Sequence, residues 1–235
     1  MSLPILLKQE TTSLPRLPTN AARLVLARNG MFLERRGPMF LTSTRIHAPD
    51  LGLDDHAQYC LLSCGALPSE LHRAMLSFFL HAHRIHGGEA ALVLLFHPEQ
   101  RTYLWHCPPQ TVDLHQDRDG WYAEDIIEFE NPLDLPDGYV HLGDAHLHPG
   151  APHPSAMDRH DDQDGLHIIV GNITRTPQYH IDFVMDGVRF PVPPAQFFAD
   201  PATVPDTFAP DLWMEQIRIR AHRRDDPDEH HDDAD

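Results

Sequence analysis

Two short runs in which apolar and polar residues alternate stand near the start of the chain. RLVLAR (23–28) and MFLERR (31–36) flank Asn29-Gly30. Such a pair predicts a hairpin closed by a type I′ turn, because both central residues of that turn take φ > 0. FLTSTRI (40–46) predicts a third strand beside it. Residues 1–20 hold three prolines and no sustained period, which makes them an extended arm.

The period then changes. Leu71, Met75, Phe78, Ala82 and Ile85 recur at helical spacing behind Pro68-Ser69, and Gly87-Gly88 ends the run, so one helix is expected there. Glu89 to Phe96 is a short apolar run suited to a buried strand, and His97-Pro98-Glu99-Gln100 turns it back into RTYLWH. Further strands are expected at Glu124–Glu130, Tyr139–His146, Leu166–Gly171 and Tyr179–Met185, the last returning through Asp186-Gly187 into VRFPV. LWMEQIRI (212–219) reads as a short docked helix or strand. These elements predict an α/β fold built on a mixed sheet. The expected divisions are an arm (1–20), an N-terminal β extension (21–60), a core domain (61–195), a C-terminal extension (196–220) and a disordered acidic tail (221–235).

Composition narrows the function classes. A formal net charge of -17 excludes nucleic acid as the main partner, since phosphate binding needs clustered lysine and arginine. Cys60, Cys64 and Cys107 form no CxxC pair and are odd in number, which points to a reducing compartment. The first residues do not form a signal peptide, and the longest apolar stretch, Ala90 to Phe96, is far short of the ~18–20 residues of a membrane helix. A cytoplasmic protein without a membrane partner is expected.

The chemistry lies in HLGDAHLHPGAPHPSAMD, residues 141–158. His146 and His148 are two apart, so at a strand end both project from one face, as a chelate requires. Asp158 follows after a turn and supplies a third, anionic ligand; three protein ligands with one open position is the pattern of catalytic zinc. Such a metal makes hydroxide available near neutral pH. A general base is then needed, and Glu89 is suited to it if its strand lies beside the one ending at His146; Glu34 and Glu70 are substitutes. Ser155, a hydroxyl three residues before Asp158, is the candidate oxyanion donor or a helix cap.

Glu89, His146-Leu147-His148-Pro149, the turn GAPHP, and Ser155-Ala156-Met157-Asp158 together resemble the JAB/MPN (JAMM) metallopeptidase family. The resemblance covers roughly residues 67–190. It implies a cytidine deaminase-like mixed β-sheet flanked by helices, with Zn2+ on His146, His148 and Asp158, Glu89 as general acid/base and Ser155 as oxyanion stabiliser. The chain departs from the family pattern in two places: six residues separate His148 from Ser155 instead of seven, and Glu89 follows Gly-Gly. More closely, GMFLERR, Pro68 and DxHxH with DDQDGLHIIVGN are similar to bacterial JAB proteins encoded beside ubiquitin-like, E1-like and E2-like partners, and to those of PRTRC systems. That implies a ubiquitin-like modifier and its conjugates as substrate.

Other readings stay open beside this one. They are a non-catalytic MPN scaffold, a zinc hydrolase of small peptides or amides, and metal storage on the chain's 19 histidines. Asp144 is a candidate for orienting a ligand histidine. Asp161, Asp162 and Asp164 read as a solvated acidic turn before a second metal cluster, and His153 and His160 as chance neighbours of the site.

Overall fold

The alternating runs near the N-terminus pair into a five-stranded sheet. In the computed structural model, which describes residues 3–9, 13–46, 55–117, 120–129, 134–161, 163–199 and 211–222, this sheet runs β1 (Ile5–Leu7), β2 (Ala21–Ala27), β3 (Gly30–Arg36), β4 (Phe40–Ile46), β5 (Tyr59–Leu62) in spatial order. The arm therefore contributes a strand of its own, parallel to β2. The first hairpin does not close on Asn29-Gly30. Ala27 pairs with Gly30, so Arg28 and Asn29 are the loop, and Gly30 carries the left-handed backbone at φ +142°. Neither Arg28 nor Asn29 takes a positive φ, and the Asn29 amide donates to the His56 carbonyl (2.7 Å) while its carbonyl accepts the His56 N–H. The expected type I′ turn is realised instead at Asp186-Gly187, where φ is +54° and +71°.

After α1 (Ser69–His86) come β6 (Ala91–His97), β7 (Thr102–His106), β8 (Gln110–Gln116), β9 (Trp121–Phe129) and β10 (Val140–Leu147). Then follow α2 (Ala156–Asp161), β11 (Gly165–Gly171), β12 (Gln178–Met185), β13 (Val188–Pro191), α3 (Pro194–Phe197), α4 (Asp211–Met214) and β14 (Ile217–His222). The central sheet has the order β13-β12-β11-β10-β6-β7, and β14-β8-β9 form a third sheet. All seven residues of β6 are buried, as a central strand demands. On α1 the buried stripe is broader than expected and includes Leu76 and Phe79, whereas Ile85 is 55% exposed. Gly87, at φ +72°, ends the helix by donating its N–H to the His83 carbonyl.

This architecture corrects the α/β expectation. Strands take 47% of the described residues and helices 16%, which makes the described part mostly β, in three sheets. It is not the helix-flanked JAB/MPN sheet with a hairpin extension. Among the described residues only 69–86 forms a long helix; α2, α3 and α4 are six, four and four residues long. Segments outside the expected elements add strands instead. QTVDLHQ offers only Val112 and Leu114 as apolar signals, yet it forms β8 because the Gln110 side chain is itself buried and used as a strand partner. Its carbonyl accepts the Ala91 N–H (2.8 Å) and its amide donates to the Ala91 carbonyl (3.0 Å). LWMEQIRI splits into the end of α4 and the start of β14, which pairs with β8 and continues through Ala221 and His222, two residues expected in the tail. The rest of that tail, 223–235, lies outside the described residues, as do the connection 47–54 and residue 130 at the end of an expected strand.

The main core fills the space between α1 and one face of the central sheet, taking Leu92, Leu94, Ala145, Leu147, Ile168 and Val170 from β6, β10 and β11. Strict alternation then places Asp144, His146 and His167 on the opposite face. The N-terminal sheet joins the central one through Phe40 against Phe183 (ring centroids 5.4 Å) and an Arg35–Asp186 ion pair at 3.0 Å. The three cysteines are unpaired. Among the described residues no helix is long and apolar enough to cross a membrane.

Candidate metal centre

Strand β10 is sandwiched between β6, antiparallel, and β11, parallel. His146 pairs with Ala91 on β6, and the Leu147 N–H donates to the Ala90 carbonyl (2.9 Å), so continuing this register brings His148 beside Glu89. The sequence expectation put Glu89 on the strand itself; it lies two residues before β6, which begins at Ala91, and is still next to His148. Gly87 and Gly88 bring it there. A Cβ on Gly88 would meet Ala123 Cβ at 2.6 Å and Val112 Cγ1 at 3.2 Å, so glycine lets the β8–β9 hairpin approach closely.

The loop after β10 is fastened to the end of β11. The His148 N–H donates to the Val170 carbonyl (2.8 Å) and the Asn172 N–H to the Gly150 carbonyl (2.7 Å). A Cβ on Gly171 would come within 2.5 Å of both Gly150 O and Pro152 N. From this fixed loop the chain enters α2 through a capping box. The Asp158 N–H donates to Ser155 Oγ (3.1 Å), and the Ser155 N–H donates back to Asp158 Oδ2 (2.5 Å). The Asp158 carboxylate is thereby held towards the two histidines.

There the ligand atoms converge. His146 Nε2 and His148 Nε2 are 3.1 Å apart, and Asp158 Oδ1 and Oδ2 lie 3.6 Å from His146 Nε2 and 3.5 Å from His148 Nε2 respectively. Nitrogen and oxygen ligands at about 2.0–2.1 Å from a tetrahedral zinc would be about 3.3–3.4 Å from each other. The observed separations bracket that value, and two imidazoles with one carboxylate are a donor set that zinc accepts. His146, His148 and Asp158 thus form a group able to hold a metal ion. Glu89 Oε1 is 3.6 Å from His148 Nε2, with only 8% of its side chain exposed.

Charge at the site is set by neighbours. Burial opposes ionisation of Asp158, but hydrogen bonds from His148 and Ser155 and the charge of His146 hold its carboxyl well below the usual carboxylate range. Burial likewise disfavours a charged His146, yet Asp144, then Glu89 and Asp158, outweigh it and raise its pKa.

Other residues singled out in the sequence lie elsewhere or do other work. Glu34 is fully buried in the N-terminal sheet, bonded to Arg23 Nε at 2.6 Å and to Tyr59 Oη at 2.9 Å, and Glu70 is exposed on the first turn of α1. Neither substitutes for Glu89 beside His148. Asp164 Oδ1 accepts the Asp186 N–H (3.0 Å), a turn-to-turn contact; the Asp161 side chain and Asp162 lie outside the described residues. His153 and His160 are exposed. Asp144 does face the site, with Oδ1 3.8 Å from His146 Nδ1. His167 was missed: no motif marks it, and its signal is being the one polar residue in the strand run LHIIVG. Neither the protein-family models nor the curated proteins compared with this chain give a match.

Proposed function

We propose that this chain is a zinc-dependent peptidase or isopeptidase that cleaves at the C-terminus of a ubiquitin-like modifier. The observation that carries the hydrolase reading is the convergence of His146 Nε2, His148 Nε2 and the Asp158 carboxylate, with the Glu89 carboxylate 3.6 Å from His148 Nε2. The substrate class comes from the likeness of Glu89, His146–Pro149 and Ser155–Asp158 to the JAB/MPN motif. The reading rests on those side chains, not on that family's helix-flanked sheet.

His146, His148 and Asp158 would hold the zinc. When bound, zinc polarises a carbonyl and makes water a nucleophile near neutral pH. Glu89 accepts the proton that the nucleophile loses and passes it to the leaving amine, a task suited to a carboxylate enclosed beside the reacting atoms. Ser155 Oγ accepts the Asp158 N–H, which leaves its own O–H to donate to the developing oxyanion. The ligand side chains are only 12–20% exposed, which keeps these groups in a reduced dielectric.

Zinc-loaded protein offered linear fusions of several ubiquitin-like modifiers, alongside short peptides, tests this. Cleavage after the modifier's terminus that a chelator abolishes is the expected result. Cleavage of short peptides alone moves the reading to a small-peptide hydrolase. No cleavage by protein that holds zinc leaves a metal-binding scaffold instead.

A further inference from the structure

On the face that carries the metal ligands, charged side chains continue across three strands in one row. Asp144 on β10 is in register with His167 on β11, and His167 with Asp182 on β12. His167 Nδ1 lies 2.9 Å from Asp144 Oδ2, and His167 Nε2 lies 2.7 Å from the Gln163 carbonyl oxygen. A carboxylate and a carbonyl can only accept, so both ring nitrogens of His167 carry hydrogen and the ring is an imidazolium. Asp144 is thus tethered from one side by a cation, with its other oxygen, Oδ1, turned to His146 Nδ1 at 3.8 Å. Both side chains are enclosed, 16% exposed for Asp144 and 12% for His167.

We infer that Asp144 and His167 are positioning residues for the metal centre: the His167 imidazolium fixes the Asp144 carboxylate, which keeps hydrogen on His146 Nδ1 and leaves the Nε2 lone pair for the metal. The inference rests on the reading of His146, His148 and Asp158 as metal ligands. A ligand histidine has two usable nitrogens, and the partner of one decides which tautomer it presents with the other. Here geometry points Nε2 at His148 and Asp158 and Nδ1 at Asp144. A neutral Asn in place of Asp144 would supply an amide of ambiguous orientation to His146, and a Gln in place of His167 would leave Asp144 without its cation.

The test measures zinc affinity by chelator competition on wild type, Asp144→Asn, His167→Gln and the double variant, with thermal melting as a check on folding. Asp144→Asn should lose about 10–100-fold in affinity. His167→Gln should lose less, and the double variant no more than Asp144→Asn, because His167 acts through Asp144. Wild-type affinity in both folded single variants would mean a purely structural cross-strand pair and overturn the inference, and a double loss equal to the product of the single losses would overturn the order of action. A measurement on wild type needs no variant to fold: nitrogen-15 NMR of the zinc-free protein at alkaline pH should show His146 protonated at Nδ1, and the Nε2–H tautomer would contradict the inference. Failure of the wild type to bind zinc would sink the metal reading itself, whereas the outcomes above concern the positioning pair alone.

Discussion

His146 Nε2 and His148 Nε2 approach to 3.1 Å at the end of β10, with the Asp158 carboxylate closing the third side. Two residues apart, His146 on β10 and His148 just past its end, they share a face because side chains alternate, and β6 and β11 pair with β10 on either side. The geometry of the centre is therefore a property of the central sheet, and the loop and α2 add only the third ligand.

That third ligand depends on Gly171. A methyl group there would strike Gly150 O and Pro152 N, both backbone atoms that cannot swing aside. Gly171→Ala should displace the loop carrying Ser155 and Asp158, weakening zinc binding by at least about tenfold, the order seen when ligand support is lost. Isothermal titration of zinc into the variant checks this, and unchanged affinity would show that the loop position does not matter to the site.

Glu89→Gln separates chemistry from metal binding. The amide keeps the shape but cannot take a proton, so turnover should fall about 10²–10⁴-fold while zinc content is unchanged. Cleavage rate and metal content measured on the same preparation decide it; full activity would remove Glu89 from the mechanism.

Gln110 is a stability prediction. Its amide satisfies both the N–H and the carbonyl of Ala91, the residue opposite His146. Gln110→Leu leaves those buried backbone groups unpaired, at a cost of about 1–3 kcal/mol. Chemical denaturation of the variant should show it, and a neutral result would mean that water or another group replaces the amide.

His86 predicts a pH dependence. It is buried, its Nδ1 accepts the Gly88 N–H (3.1 Å), and burial, aided by His83, lowers its pKa from 6.5 to about 4. The folded state favours the neutral ring, so the stability it contributes is complete above about 6.5, the unfolded value, and is lost as pH falls from there through about 4. His86→Asn should flatten the stability curve between those limits relative to wild type. Parallel curves for the two proteins would contradict it.

The site was more legible in the sequence than the fold. His146, His148 and Asp158, which the fold brings together as a group able to hold a metal ion, stand out because chelation imposes local spacing, and the apolar run after Glu89 marks its place near His148. The architecture was misread where burial involves polar side chains. Gln110 takes an inward position of β8 by bonding to Ala91 on β6, so the strand's apolar alternation is reduced to Val112 and Leu114. The first hairpin illustrates a different limit: Asn29-Gly30 matches a type I′ signal, but the Asn29 side chain is drawn to the His56 backbone, 27 residues away, and the turn forms one residue earlier. His167 was invisible because its role exists only across strands, opposite Asp144.

Zinc content per chain, measured by elemental analysis on wild type and on His146→Ala, tests the central claim most directly. The account predicts about one zinc in wild type and none in the variant. A wild type without zinc, or a variant that retains it, would contradict the assignment of His146, His148 and Asp158 as the metal centre.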